Sequence, residues 1–234
     1  MELNIIQKIA VFAIPVIFAI TLHEAAHGFM AMKFGDKTAW MLGRVTANPI
    51  KHIDPFGTVI LPTLMLLLSK LAGGPAFLFG WAKPVPVNFN GLRHPKRDML
   101  WVAAAGPGAN VLMAIFWGLI IQLGLWMHSG FASAPLVLMG AAGIFINAIL
   151  ASLNLIPLPP LDGGRIAVSL LPAGPSTMLA RLEPYGLFIL IALMFTGILG
   201  SLISPIMSLF LNFTALVTGL NPAQVQMLIF TLLS

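Results

Sequence analysis

Charge is what this sequence has least of. Of its 234 residues, 12 are Lys or Arg and 7 are Asp or Glu, together 8% of the chain, against about 25% in an ordinary soluble domain. Hydrophobic residues make up 59%, and the mean hydropathy is +0.97. That balance excludes a soluble globular protein, and with it disordered, collagen-like and coiled-coil chains. Cysteine is absent, which removes disulfides and thiolate metal sites and leaves the redox compartment open. Continuous rather than alternating apolar runs argue against an outer-membrane barrel. An all-α polytopic membrane protein remains.

The few charges are placed unevenly. None occurs between Lys8 and Glu24, in the 63 residues from Met99 to Leu161, or in the 51 from Pro184 to Ser234. A spanning helix takes about 20 apolar residues, so each of the two long stretches has room for two crossings. Between Lys33 and Asp98 lie nine basic and three acidic residues. Such clustering reads as the positive-inside signal of a cytoplasmic face rather than a nucleic-acid surface, which would need a soluble basic face with reading elements. The N-terminus has neither a basic n-region nor a small-residue cleavage site, so its apolar run is expected to be a retained span.

Five to six transmembrane helices are expected in one domain covering 1–234, with a catalytic core over about 5–171 and C-terminal helices over about 184–234. The spans are read as Ile5 to Lys33 with a kink at Pro15, Met99 to about Met127, Leu136 to Leu155, and Tyr185 to about Ile203. Two shorter pieces beyond Pro205, split at Asn221-Pro222, form a sixth span or a surface helix. The run from Gly80 to Asn88 has prolines at alternate positions, which forbid helix and suit an extended or β-edge loop.

Inside the first span stands His23-Glu24-Ala25-Ala26-His27. Positions i and i+4 share a helical face, so both imidazoles reach one metal ion, and Glu24 is placed to hold and deprotonate a water on it. Zinc brings the pKa of such a water towards about 7. Charged groups at this depth cost at least about 2.5–3.5 kcal/mol, which favours function over a cluster that merely hydrogen-bonds neighbouring helices. Two histidines leave one protein ligand to find in a three-ligand catalytic site. Asp162 stands out among the remaining acids, because it ends the long uncharged stretch at the mouth of a span and is followed by Gly163-Gly164. Its alternative is an N-cap for the helix starting near Gly164.

With these residues in place, the chain resembles the site-2 protease family of intramembrane zinc metalloproteases, in its compact prokaryotic type without PDZ or CBS domains. The resemblance covers about Leu22 to Arg165. It implies that His23, His27 and Asp162 bind one Zn2+ per chain and that Glu24 is the catalytic base. Asn154 and Pro157 match the start of the family's second motif, and Gly106 to Asn110 its small-residue element. The run beginning Gly80-Trp81 resembles the loop that receives substrate as an extended strand. The implied activity is hydrolysis of peptide bonds within or next to transmembrane segments of other proteins, in the cell membrane with the site toward the cytoplasm. A metal transporter or a non-catalytic metal-binding scaffold are the rival readings; the uncharged last 51 residues offer a transporter no further ionisable path.

For one metal to bind all three ligands, both motifs must reach the same face. If Phe56–Leu71 crossed fully, the two following spans would return Asp162 to the opposite face, so a re-entrant hairpin is expected there, against protein or a wet cavity. Asn110, Asn147 and Asn154 are the other polar residues of interest. They are read as binding substrate or orienting the metal shell, against plain interhelical bonding worth about 0.6 kcal/mol each. Gly106 and Gly108 are read as close helix packing, and His52, His94 and His128 as loop or interface residues.

Overall fold

Asn4 opens the first helix with a capping box: its side chain accepts from Gln7 N at 2.9 Å, and Gln7 Oε1 accepts from Asn4 N at 3.0 Å. In the computed structural model, which describes residues 3–60, 64, 67–68, 83–127 and 131–233, helix α1 runs Ile5–Lys33 with Pro15 inside it. A one-turn helix α2 (Thr38–Met41) follows. After the connecting region come α3 (Pro95–Trp126) and α4 (Ser133–Asn154). The chain continues as α5 (Asp162–Leu170), α6 (Ala173–Ala180), α7 (Gly186–Phe195), α8 (Ile198–Thr218) and α9 (Pro222–Leu233). Among the described residues there is no strand. Five helices there are long and apolar enough to cross a membrane: Ile6–Lys33, Pro95–Trp126, Ser133–Asn154, the broken Ala173–Phe195, and Ile198–Thr218.

Two expectations are corrected. Tyr185 to Ile203 is not one span, because Gly197 takes a left-handed backbone (φ 75°) and ends α7. Nor does the chain break at Pro205, which lies inside α8. Glycine reaches φ > 0 without steric cost, whereas an intramembrane helix accommodates proline when neighbours satisfy the freed carbonyl. The β character expected for the loop ending at Asn88 is not seen over 83–88, where the N–H groups of Lys83, Val85 and Asn88 go to partners outside any ladder. Gly80 and Trp81 lie outside the described residues, as do His128 and most of Phe56–Leu71. Of that last stretch, Pro55–Ile60 forms a π-helical turn.

The core joins α1, α3, α4, α8 and α9, with Trp117, Ile121, Ile144 and Leu211 among its buried residues. Glycines bring α3 and α4 together. A Cβ on Gly143 would fall 2.1 Å from Trp117 Cγ, and one on Gly140 2.8 Å from Trp117 O. Small interface residues drive such packing, since lipid supplies no hydrophobic gain between helices. Gly143→Ala is therefore expected to destabilise the protein by about 1–3 kcal/mol, the usual cost of overpacking. A lowered thermal midpoint in detergent checks this; an unchanged midpoint would mean that the α3–α4 pair can open at no cost.

The far sides of these helices carry exposed Ile9, Phe18, Leu112, Phe116 and Leu119, as a lipid-facing surface requires. The two ends of the 34–94 connection are tied together: Arg93 N donates to Phe34 O at 3.0 Å, and Asn88 N to Asp36 Oδ2 at 2.7 Å. The chain thus leaves α1 and enters α3 at one end of the bundle, whatever path it takes between.

Candidate metal centre

That shared end collects the site. The last turns of α1 carry His23 and His27, the first half of α3 lies beside them, and α4 runs back to deliver Asp162 at the start of α5. Asp162 does not cap its helix: Leu161 occupies the cap position, without a side-chain bond. The Asp162 carboxylate turns instead to the histidines, its Oδ2 lying 3.3 Å from Nε2 of each. The two Nε2 atoms are 3.1 Å apart.

His27 Nδ1 sits 2.7 Å from Val102 O. A carbonyl only accepts, so Nδ1 carries the proton and Nε2 a lone pair. His23 Nδ1 is 2.6 Å from Asn110 Oδ1, which assigns the same tautomer. Three lone-pair atoms, one on an anion, therefore face one another with no proton between them. Asp162 Oδ2 is buried and has no hydrogen-bond partner. Such a cluster repels itself unless a cation sits at its centre. Zinc suits the donor set, two imidazoles and a carboxylate. Bonds of 2.0–2.1 Å in a tetrahedron place ligand atoms roughly 3.3–3.4 Å apart, against the 3.1 and 3.3 Å observed.

The site opens into a cleft of about 150 Å³ lined by His23, Glu24, His27, Val85, Asn154, Asp162 and Arg165, among others. Glu24 Oε2 accepts from Val85 N at 2.7 Å. The segment carrying Val85 is held at further points. Arg44 bonds Lys83 O and Pro84 O at 3.3 and 3.4 Å and also reaches Lys51 O, while Lys83 N donates to His52 O at 2.9 Å. Asn154 lines the cleft, its Nδ2 engaged by Leu150 O at 3.0 Å. Pro157 is exposed and does not line the cleft. Asn110 and Asn147 are fully buried and bonded to each other at 2.8 Å. Asn110 faces His23 and Asn147 lies behind Asn110, neither lining the cleft, so these zero-exposure amides have no surface to offer a substrate.

Gly106 also differs from its sequence-based reading as a packing residue. A Cβ there would lie 2.3 Å from His27 Nε2 and 2.6 Å from His23 Cε1, whereas one on Gly108 meets nothing within 4 Å. Three participants escaped sequence reasoning. Val85 acts through its backbone, which no side chain advertises. Arg44 gave no signal beyond belonging to the basic cluster. Arg165 lies one helical turn after Asp162, and that i+3 spacing was a usable sign. His52, buried with Nε2 on Thr46 O at 3.0 Å, and His94, at the cap of α3, stand outside the site.

The model for "Peptidase family M50" matches residues 120–197, a stretch that includes Asn154 and Asp162. The chain is 40% identical over 192 residues to "Putative zinc metalloprotease YwhC" of Bacillus subtilis, covering 80% of this chain and 81% of that protein. It is 28% identical over 216 residues to "Putative zinc metalloprotease Rip2" of Mycolicibacterium smegmatis, covering 90% and 76%. No solved structure matches the chain.

Proposed function

The chain belongs to peptidase family M50, the site-2 protease family of metalloproteases, and on that premise we propose that it is a zinc endopeptidase cutting peptide bonds within or next to transmembrane segments of other membrane proteins. The observation carrying this reading is the meeting of His23 Nε2, His27 Nε2 and Asp162 Oδ2, each within 3.3 Å of the others, in a cleft that Glu24 also lines. His23, His27 and Asp162 hold the metal. When bound, zinc supplies Lewis acidity that polarises a carbonyl and makes water a competent nucleophile near neutral pH.

The protein's own groups do the rest. Val85 N–H anchors Glu24 Oε2, which leaves Oε1 to take a proton from water and return it to the departing amine nitrogen. A helical substrate has no free backbone groups, so it must unwind before its carbonyl reaches the site. The non-helical segment over 83–88 gives it an edge to pair with by strand addition. Pro84 and Pro86 lack N–H groups and the Val85 N–H is taken by Glu24, so Val87 is the position that offers a backbone donor for such pairing. Asn154, its Nδ2 engaged by Leu150, keeps its carbonyl oxygen for a substrate N–H in the same cleft. Gly80 and Trp81 extend this receiving loop in the same reading.

The basic residues Lys33, Lys37, Arg93, Lys96 and Arg97 cluster where α1 ends and α3 begins, which supports reading that end as the cytoplasmic one, in the cell membrane. The chain is read as one catalytic domain, its transmembrane substrates presented from the bilayer.

The deciding experiment is turnover of a model transmembrane substrate by the purified chain. Cleavage should stop on chelation and return when zinc is restored. A chain that binds zinc without turnover would be a scaffold, and one that carries zinc across sealed vesicles a transporter; either result rejects the protease reading.

A further inference from the structure

Behind the two imidazoles, away from the cleft, a polar chain crosses three helices. Asn147 on α4 donates Nδ2 to Gly143 O at 2.8 Å. Asn110 on α3 donates Nδ2 to Asn147 Oδ1 at 2.8 Å and, more distantly, to Ala19 O of α1 at 3.5 Å. Asn110 Oδ1 then meets His23 Nδ1 at 2.6 Å. Both amides are fully buried, so water cannot substitute for any link.

The direction of this chain is forced. A backbone carbonyl cannot donate, so Asn147 turns its NH2 to Gly143 and its oxygen to Asn110. Asn110 must answer that oxygen with its own NH2, and the Ala19 carbonyl demands the same orientation. Its Oδ1 is then left for His23, and only an N–H can meet it. His23 is thereby protonated on Nδ1, with its Nε2 lone pair aimed at the meeting point with His27 and Asp162. His27 needs no such chain, because Val102 O fixes its tautomer directly. An amide next to a histidine could flip; Asn147 is what prevents Asn110 from doing so.

We propose that Asn110 and Asn147 are positioning residues for the metal site: the Gly143 carbonyl sets Asn147, Asn147 sets Asn110, and Asn110 sets the tautomer and ring plane of His23. The proposal rests on the reading of His23 as a metal ligand. Partners behind a ligating histidine are worth about 10–100-fold in metal affinity. The competing role, interhelical bonding alone, would lower stability and leave affinity unchanged.

The test is zinc affinity of the full chain in detergent, read by competition with a chromophoric chelator, alongside the thermal midpoint of the zinc-free protein. Asn110→Leu should weaken zinc binding by about 10–100-fold, and Asn147→Leu by a smaller factor in the same direction. Asn147→Asp should stay near wild type, since a neutral carboxyl donates to Gly143 O and accepts from Asn110 as the amide does. Because Asn147 acts only through Asn110, the double Leu variant should bind no more weakly than Asn110→Leu alone. Losses that multiply in the double variant, or wild-type affinity in Asn147→Leu, overturn the proposal. Should the Leu variants fail to fold, the wild-type chain still decides. In mildly alkaline buffer without zinc, 15N-histidine spectra should show His23 protonated on Nδ1, and protonation on Nε2 overturns the relay. A wild-type chain that binds no zinc at all rejects the metal reading itself, and this proposal with it.

Discussion

Glu24→Gln should lower peptide hydrolysis by about 10²–10⁴-fold, the range for loss of a general base, while the protein keeps its fold and its zinc. The reason lies in how Glu24 is held. Its Oε2 accepts from Val85 N at 2.7 Å, and a glutamine oxygen can accept that same bond, so the loop over 83–88 stays anchored. The three candidate metal ligands, His23, His27 and Asp162, are untouched. What the amide cannot do is take a proton from water and pass it to the leaving nitrogen. Turnover of a transmembrane substrate and the zinc content of the purified variant are the two measurements needed. Undiminished turnover would remove Glu24 from the mechanism; loss of zinc would make it part of the metal's support instead.

Gly106→Ala is expected to disable the site without altering any ligand. The added methyl would fall 2.3 Å from His27 Nε2 and 2.6 Å from Cε1 of both histidines, so both rings must move by about an ångström to restore ordinary contact. Misplacement of that size costs about 10²-fold in rate, and here it falls on two ligands together. Zinc affinity should drop with activity. Local helix propensity changes in the opposite sense, since Ala is favoured over Gly by about 1 kcal/mol inside a helix, so helix content by circular dichroism should hold. Gly108→Ala supplies the control: a Cβ there meets nothing within 4 Å, and both zinc binding and turnover should match wild type. Normal zinc binding in Gly106→Ala would mean that the histidines do not pack against α3 as described.

Glu24 and Gly106 differ in how far the sequence alone reveals them. Glu24 is legible in the sequence, because the spacing of His23 and His27 is a statement about one helix, and helical periodicity needs nothing beyond local geometry. The bounds of α1 are legible for the same reason, with Asn4 and Gln7 forming the cap and Lys33 closing the apolar run. Gly106 is not legible: a glycine on an apolar helix reads as packing, and only the neighbouring helix shows that the space it leaves belongs to two imidazoles. Asn110 and Asn147 are visible as unusual polar residues, yet their direction, toward His23 and away from the cleft, depends on how α3 and α4 are rotated against α1. The break at Gly197 was missed because proline is the stronger textual sign of a helix end, while a left-handed glycine leaves no mark that distinguishes it from a packing one.

The shortage of charge, with its few exceptions, by itself determined that the chain is a membrane protein, where its first three spans lie, and which residues are chemically out of place there. Insertion into lipid is governed by composition over about 20 consecutive residues, and a sequence carries that directly. The tertiary structure alone decided that Asp162 meets His23 and His27 instead of capping its helix, that Val85 holds Glu24, and that a carbonyl on α4 is linked through two amides to the tautomer of a histidine on α1. Those outcomes turn on distances between residues far apart in the chain, set by helix rotation and close approach at glycines, and no local rule of spacing encodes them.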